Sequence, residues 1–189
     1  MNTSKPIITE PMLRQKALPI EVVPYDPQWP VQFSEEAKQI EPLFGDNFVA
    51  IHHIGSTAVP GLCAKPTIDM ILEVKDIQQV DQCNEAMQRL GYVAWGEYHI
   101  PGRRFFVKGE EKRTHHIHAF QTDSGEIARH LHVRDYLRLH PKEAQAYAEL
   151  KVKLAQEFCH NRRGYVDAKT PFVKALEQRA IVFFTNGCK

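Results

Sequence analysis

His53-Ile-Gly-Ser-Thr-Ala-Val-Pro-Gly-Leu-Cys-Ala-Lys-Pro-Thr-Ile-Asp69 is the stretch on which the reading of this chain turns. Before it, Phe48-Val-Ala-Ile51 reads as a strand. After it, Thr67 to Val74 reads as a second strand, apolar enough to be central in a sheet. A glycine followed by a hydroxyl residue, here Gly55-Ser56, lets the backbone approach a phosphate closely and offers N–H donors. An aspartate on the next strand can hold a divalent cation that bridges those phosphates, and Lys65 can neutralise further charge. Nucleotidyl transfer needs this combination of phosphate cradle, metal and line of attack. The plainer alternative is an ordinary tight turn with Asp69 hydrogen-bonded to it. Two features favour the chemical reading. The stretch is dense in glycine and proline, and a carboxylate interrupts the apolar run Ile68, Met70, Ile71, Leu72, where burial without a partner is costly.

Outward from this stretch the pattern alternates between strands and helices. Residues 1–19 carry Pro6, Pro11 and Pro19 with weak periodicity and read as a flexible arm. Ile20-Glu-Val-Val23 reads as a short strand. Asp26-Pro27 is an N-cap and first-turn proline, followed by Phe33, Ala37, Ile40 and Phe44 at helical spacing until Gly45. Asp76 caps a further helix with Ile77, Val80, Met87 and Leu90 on one face, stopped by Gly91. Tyr92–Trp95 and Arg104–Lys108 read as strands around a Pro101-Gly102 turn, and Thr114–Gln121 as another. From about residue 126 the chain turns helical: Ile127 to Leu139, a helix begun by Pro141, and a last one from Pro171 to Phe184, before a tail at 185–189. The stripe Tyr147, Leu150, Leu154, Phe158 is read as core packing, and Trp29 as the anchor of the first helix. The expected fold is α/β (α+β): one domain over residues 20–184, a mixed sheet packed by helices with a helical C-terminal third.

The totals agree with a single domain. The chain has 189 residues and a hydrophobic fraction of 43%, enough to build a core. Lys+Arg (24) nearly balances Asp+Glu (23), so no phosphate-tracking surface is implied and general nucleic-acid binding is not expected. Cys63, Cys83, Cys159 and Cys188 include no Cys-x-x-Cys spacing, which argues against a zinc knuckle or redox pair and for reduced thiols. No stretch approaches the length of a membrane span, and no apolar signal core opens the chain. The expected location is the cytoplasm.

Asp26-Pro-Gln-Trp29, His53 to Leu62, Lys65-Pro66, Ile68-Asp69, Arg103-Arg-Phe-Phe106, His116-Ile-His118, Arg134-Asp-Tyr-Leu-Arg138 and Tyr147-Ala-Glu-Leu-Lys151 together resemble the GrpB family, in the family's order and over about residues 20–184. That family is similar to the nucleotidyltransferase superfamily, whose pattern is Gly-Ser, a gap, then Asp-x-Asp or Asp-x-Glu. Gly55-Ser56 and Asp69 fit it, but Ile71 stands where the second carboxylate belongs. Glu73 lies roughly 13 Å along the strand from Asp69, too far to share an ion. His52 stands where the family more often has glutamate. The resemblance therefore implies the fold more firmly than the reaction.

His116 and His118 sit two apart on an expected strand, on the same side and about 6.6 Å apart. With Asp69 they make a two-histidine, one-carboxylate set that could hold a divalent metal, Mg²⁺ or Mn²⁺, and these three are taken as the catalytic residues. The alternative is that they hydrogen-bond to phosphate or backbone. Phe120 excludes a histidine triad, and His99 and His115 are read as surface residues. Arg104 shares a face with Phe106 and is expected to point inward; Arg134-Asp135 is expected to pair internally. The resemblance retains Arg104, Arg134 and Lys169, which are taken as the anion site beside the ligand-contacting Gly55, Ser56, Thr57 and Lys65.

The reading that follows is a domain binding a nucleotide or phosphorylated small molecule with a divalent metal, with metal-dependent nucleotidyl or phosphoryl transfer as the natural reaction. A non-catalytic ligand-binding or accessory domain, for example linked to coenzyme A metabolism, is the alternative. A metal-dependent hydrolase using His116-Ile-His118 is the third.

Overall fold

The computed structural model describes residues 18–186. Most of the expected arm, the end of the expected tail and Cys188 lie outside the described residues. Helix α1 (Trp29–Ile40) leads into strand β1 (Phe48–Ile54), which is followed by β2 (Ile68–Val74), α2 (Asn84–Arg89), β3 (Tyr92–Ala94), β4 (Arg104–Lys108) and β5 (His115–Gln121). Helices α3 (Gly125–Leu139), α4 (Pro141–Phe158) and α5 (Arg162–Asn186) complete the described chain. The five strands form one mixed sheet in the order β1-β2-β5-β4-β3. Only β2 and β5 run parallel, so the two strands expected to carry the chemistry lie side by side at its centre.

Alternation along these strands sorts the side chains by face. Ile68, Met70 and Leu72 of β2, Ile117 and Ala119 of β5, and Phe106 of β4 pack against Trp29, Ile40 and Met87. Trp29 is 2% exposed and holds α1 to the sheet, as its position indicated. The other face carries Ile54, Ile71 and Phe120, which pack with Ile127 of α3. Asp69, His116 and His118 belong to this second face. The register sets Asp69 opposite His116, and Ile71 opposite His118.

Three expected elements differ. Ile20–Val23 makes no strand beyond one bridge, Val23 with Ala64, because Pro24 has no N–H with which to extend a ladder. The segment after Asp76 is mostly a 3₁₀ helix, Ile77–Cys83, and α2 covers only its last part. The last helix begins at Arg162 rather than at Pro171, which sits inside it. Proline removes one backbone donor there, but Thr170 Oγ1 donates to Val166 O at 2.8 Å in the preceding turn. Tyr165, 1% exposed against Leu154 and Ala155, anchors that extra turn by tertiary packing. The extension matters because it carries Tyr165 and Lys169 to the sheet. No helix among the described residues is long and apolar enough to cross a membrane.

Candidate functional site

The loop after β1 is shaped by close approach to Asp69. Gly55 has φ of 72°, and a Cβ there would lie 2.9 Å from Asp69 Oδ2, so a side chain is excluded on both counts. Ser56–Ala58 then forms one 3₁₀ turn. Helix α3 clamps this loop from outside. Arg134 Nη1 donates to His53 O at 3.1 Å, and Arg138 donates to Ala58 O through Nε at 3.0 Å and Nη2 at 2.8 Å. Asp135 holds both guanidinium groups, and its hydrogen bond from Arg134 keeps its carboxyl below the usual range despite burial. Inside the loop, His53 Nε2 meets Thr57 Oγ1 at 2.9 Å and its ring stacks on Phe33. Burial lowers the His53 pKa to about 4, so it is a neutral structural histidine at pH 7.

Behind the loop lies a cavity of about 180 Å³. Ser56, Thr57, Lys65, Asp69, His116, Lys151 and Lys169 line it, with Tyr147 and Tyr165 among its walls. His116 Nδ1 donates to Asp69 Oδ1 at 3.0 Å. Burial raises the Asp69 pKa, but that hydrogen bond and the charges around it outweigh burial, and the carboxyl stays below its ordinary value. Lys151 is only 3% exposed; its Nζ donates to Cys63 O and lies 3.0 Å from Ser56 Oγ. Burial lowers its pKa to about 7, with Lys169 adding repulsion. Lys65 falls to about 8 through burial and then the charges of Arg162 and Lys169. Aromatic faces offset part of this crowding: Lys151 lies 4.5 Å from the Tyr147 ring centroid, and Lys169 and Lys65 lie 5.5 and 6.0 Å from that of Tyr165.

The expected site residues divide into two groups. Gly55, Ser56, Thr57, Lys65, Asp69, His116 and Lys169 come together at this cavity or its entrance loop, although the Thr57 hydroxyl is occupied by His53. Arg104, Arg134 and His118 do not join them. Arg104 does share a face with Phe106, but that is the opposite face of the sheet; its Nε and Nη2 donate to Asp81 at 2.7 and 2.9 Å. Arg134 is used up in the α3 clamp. His118 shares a face with His116, but its Nδ1 accepts from Arg103 Nη1 at 3.1 Å and its ring packs on Phe105. Its pKa is lowered to about 3, first by burial, so it stays neutral. Arg103, not Arg104, is the inward arginine: it is 4% exposed and also donates to Glu97 O and Tyr98 O.

This arrangement does not fit a resident divalent ion. Among the described residues no three His, Cys, Asp or Glu side chains converge as a metal site. Glu73 is taken by His52 and Thr122, and Asp69 shares its cavity with three lysines. Of the expected set of Asp69, His116 and His118, Asp69 and His116 are hydrogen-bonded to each other, while the Nδ1 of His118 is held by Arg103, because alternation fixes only the face.

Two residues gained importance that their sequence positions understated. Tyr147, read as core, is buried, yet it lines the cavity together with Ser56. Lys151, four residues on, faces the same way; a lysine beside the apolar helix stripe was the available signal. His115, read as a surface residue, is half-buried beneath Tyr92 with Nε2 unpartnered. Two other hollows carry less chemistry. A cleft of about 430 Å³ between Pro60–Leu62 and α3–α4 has Arg138 as its charged group, already bound to Ala58 O and Asp135. A hollow of about 120 Å³ shares Lys65 and Thr67 with the lysine-lined cavity and continues it toward Arg113 and Arg162.

The comparisons with known proteins agree with this fold. A relative from Bacillus subtilis, UPF0157 protein YqkA, is 44% identical over 161 residues, which is 85% of this chain and 47% of that protein. The chain thus spans about half the length of this relative. The crystal structure of conserved protein GrpB from Enterococcus faecalis superposes with a TM-score of 0.83 at 41% identity, covering 87% of this chain and 99% of that one. A protein from Mycolicibacterium paratuberculosis named dephospho-CoA kinase is 26% identical over 189 aligned positions, 86% of this chain and 46% of that protein. The family model for GrpB protein matches residues 19–179, and the chain belongs to the GrpB family.

Proposed function

We propose that the cavity binds a phosphorylated small molecule, a nucleotide or a related phosphoric anhydride, without a resident metal. The observation that carries this reading is the convergence of Lys65, Lys151 and Lys169 with the Ser56 hydroxyl on one small cavity whose lining includes a single carboxylate. Buried ammonium groups lacking carboxylate partners are costly, and a multiply charged anion offsets that cost. Asp69, bonded to His116, holds the imidazole with its Nδ1 protonated and leaves Nε2 as acceptor or base. The contiguous hollow beside Lys65 gives the rest of a nucleotide room to extend.

Calorimetry with inorganic phosphate, pyrophosphate and nucleoside triphosphates, in chelator and then with Mn²⁺, tests this. Pyrophosphate binds in chelator, Lys169→Met weakens it at least tenfold, and Asp69→Asn leaves it equal or tighter. Arg104→Gln, on the far face, leaves it unchanged. Binding that appears only with Mn²⁺ and is lost in Asp69→Asn would restore the metal-bridged reading; no binding of any phosphate would refute both.

A second reading, an accessory ligand-binding domain, is supported by the relative named dephospho-CoA kinase, of which the match covers less than half. The rest of such a chain would supply the catalysis. Phosphate binding without turnover distinguishes it.

A further inference from the structure

We infer that Ser56 is a nucleophile and Lys151 its general base, so that the cavity transfers a phosphoryl group from a phosphoric anhydride through a covalent phosphoserine. This rests on the phosphorylated-ligand reading and goes one step beyond it. Lys151 lines the cavity beside Ser56 but is only 3% exposed, with Nζ 3.0 Å from Ser56 Oγ. Its other hydrogen-bond partner is the neutral Cys63 carbonyl, and among the described residues no carboxylate forms an ion pair with it. A neutral amine satisfies this geometry: one N–H goes to Cys63 O, and the lone pair takes the Ser56 proton. Burial brings the amine's pKa down to about 7, so a substantial share of it is unprotonated near neutral pH, the condition a base needs. A nucleophile within hydrogen-bond reach of a base is the arrangement by which hydroxyls are activated, and Ser56 and Lys151 meet it.

The step balances as follows. Ser56 Oγ attacks the terminal phosphorus, and the new O–P bond forms as the anhydride P–O bond breaks. The electron pair leaves with the departing phosphate, which is already an anion and needs no proton. Lys65 and Lys169, on the same cavity wall, stabilise its charge. The serine proton passes to Lys151 Nζ. Water then attacks the phosphoserine, giving a proton to His116 Nε2, and Ser56 Oγ recovers its own proton from Lys151. His116 releases its proton to solvent. Cys63 from the loop, Tyr147 on its own helix and Lys169 from α5 act most directly on Lys151, and Lys65, Asp69, His116 and Tyr165 line the same cavity. None of them supplies a stronger base to Ser56.

A fluorophosphonate, which phosphonylates activated hydroxyls with loss of fluoride, tests the nucleophile on the full chain without knowledge of the natural donor. Intact mass and peptide mapping should place one adduct on Ser56, with a rate rising through an inflection near pH 7 and slowed by pyrophosphate. Ser56→Ala abolishes the adduct. Lys151→Arg, which keeps the charge but cannot act as a base, slows it by about a hundredfold or more. Should arginine not fit the slot, as a melting curve would show, Lys151→Met gives the same comparison. No adduct on Ser56, or a rate indifferent to both Lys151 variants, overturns the inference. If pyrophosphate still binds in that case, the binding reading survives alone; if neither adduct nor binding appears, the site itself is refuted.

Discussion

Replacing Lys151 by methionine should stabilise the protein in mild acid and destabilise it in alkali. The fall of the Lys151 pKa from 10.5 to about 7 sets the size of the effect. At 1.36 kcal/mol per tenfold change in proton affinity, charging the amine costs the folded state about 5 kcal/mol more than the unfolded chain. The sign follows from proton binding. Between pH 7 and 10.5 the unfolded chain holds a proton that the folded one has released, so the stability of the native protein rises with pH across that window. Below pH 7 both states are charged and the full penalty stands. Methionine fills a similar length without charge, but it gives up the hydrogen bonds to Cys63 O and Ser56 and the contact with the Tyr147 ring. Those losses are worth about 2–3 kcal/mol together. The variant should therefore be more stable than the parent by about 2 kcal/mol at pH 6, and less stable by a similar amount near pH 10. Urea titrations followed by circular dichroism at pH 6, 7, 8, 9 and 10 measure the difference, and groups that do not interact with Lys151 cancel in it. A variant that is less stable at every pH by a constant amount would show that Lys151 stays charged in the fold, and would remove the chemical basis of the Ser56–Lys151 pair.

Two further outcomes are expected. Gly55→Ala combines a left-handed φ with a Cβ only 2.9 Å from Asp69 Oδ2, so it should lower stability by about 2 kcal/mol or more and weaken pyrophosphate binding by shifting the loop that carries Ser56; the urea midpoint and calorimetry read the two effects separately. His118, with a folded pKa of about 3 against an ordinary 6.5, refuses a proton that the unfolded chain accepts, so stability is lost as pH falls through that window. His118→Gln should make the acid limb shallower by up to about 1 kcal/mol per pH unit between pH 6 and 4, and an unchanged slope in the urea midpoint against pH would refute the neutral assignment.

The pattern from Phe48 to Val74 was enough to place two strands and the glycine loop between them, because local turn chemistry and apolar runs are written in neighbouring residues. The resemblance carried by that loop likewise indicated the family, and the adjacency of Gly55-Ser56 and Asp69 came with it. Pairings between distant residues were a different matter. Alternation put His116 and His118 on one face but could not show that Arg103 would take the second. It separated Arg103 from Arg104, but the expectation that Arg104 turned toward the site was wrong, since that depends on where Asp81 and the two packed layers lie.

The amino-acid order by itself determined the mixed sheet, the helical last third and the loop that gathers Ser56 beside Asp69, since propensity, periodicity and glycine geometry act over short range. Only the tertiary structure decided that three lysines from a loop and two helices meet around that serine, and that Asp69 stands among them with one imidazole as its partner. The reason is physical. A lysine's charge state is set by the water it loses and the charges it meets, and both are supplied by segments about a hundred residues away in sequence, as for Lys151 and Ser56.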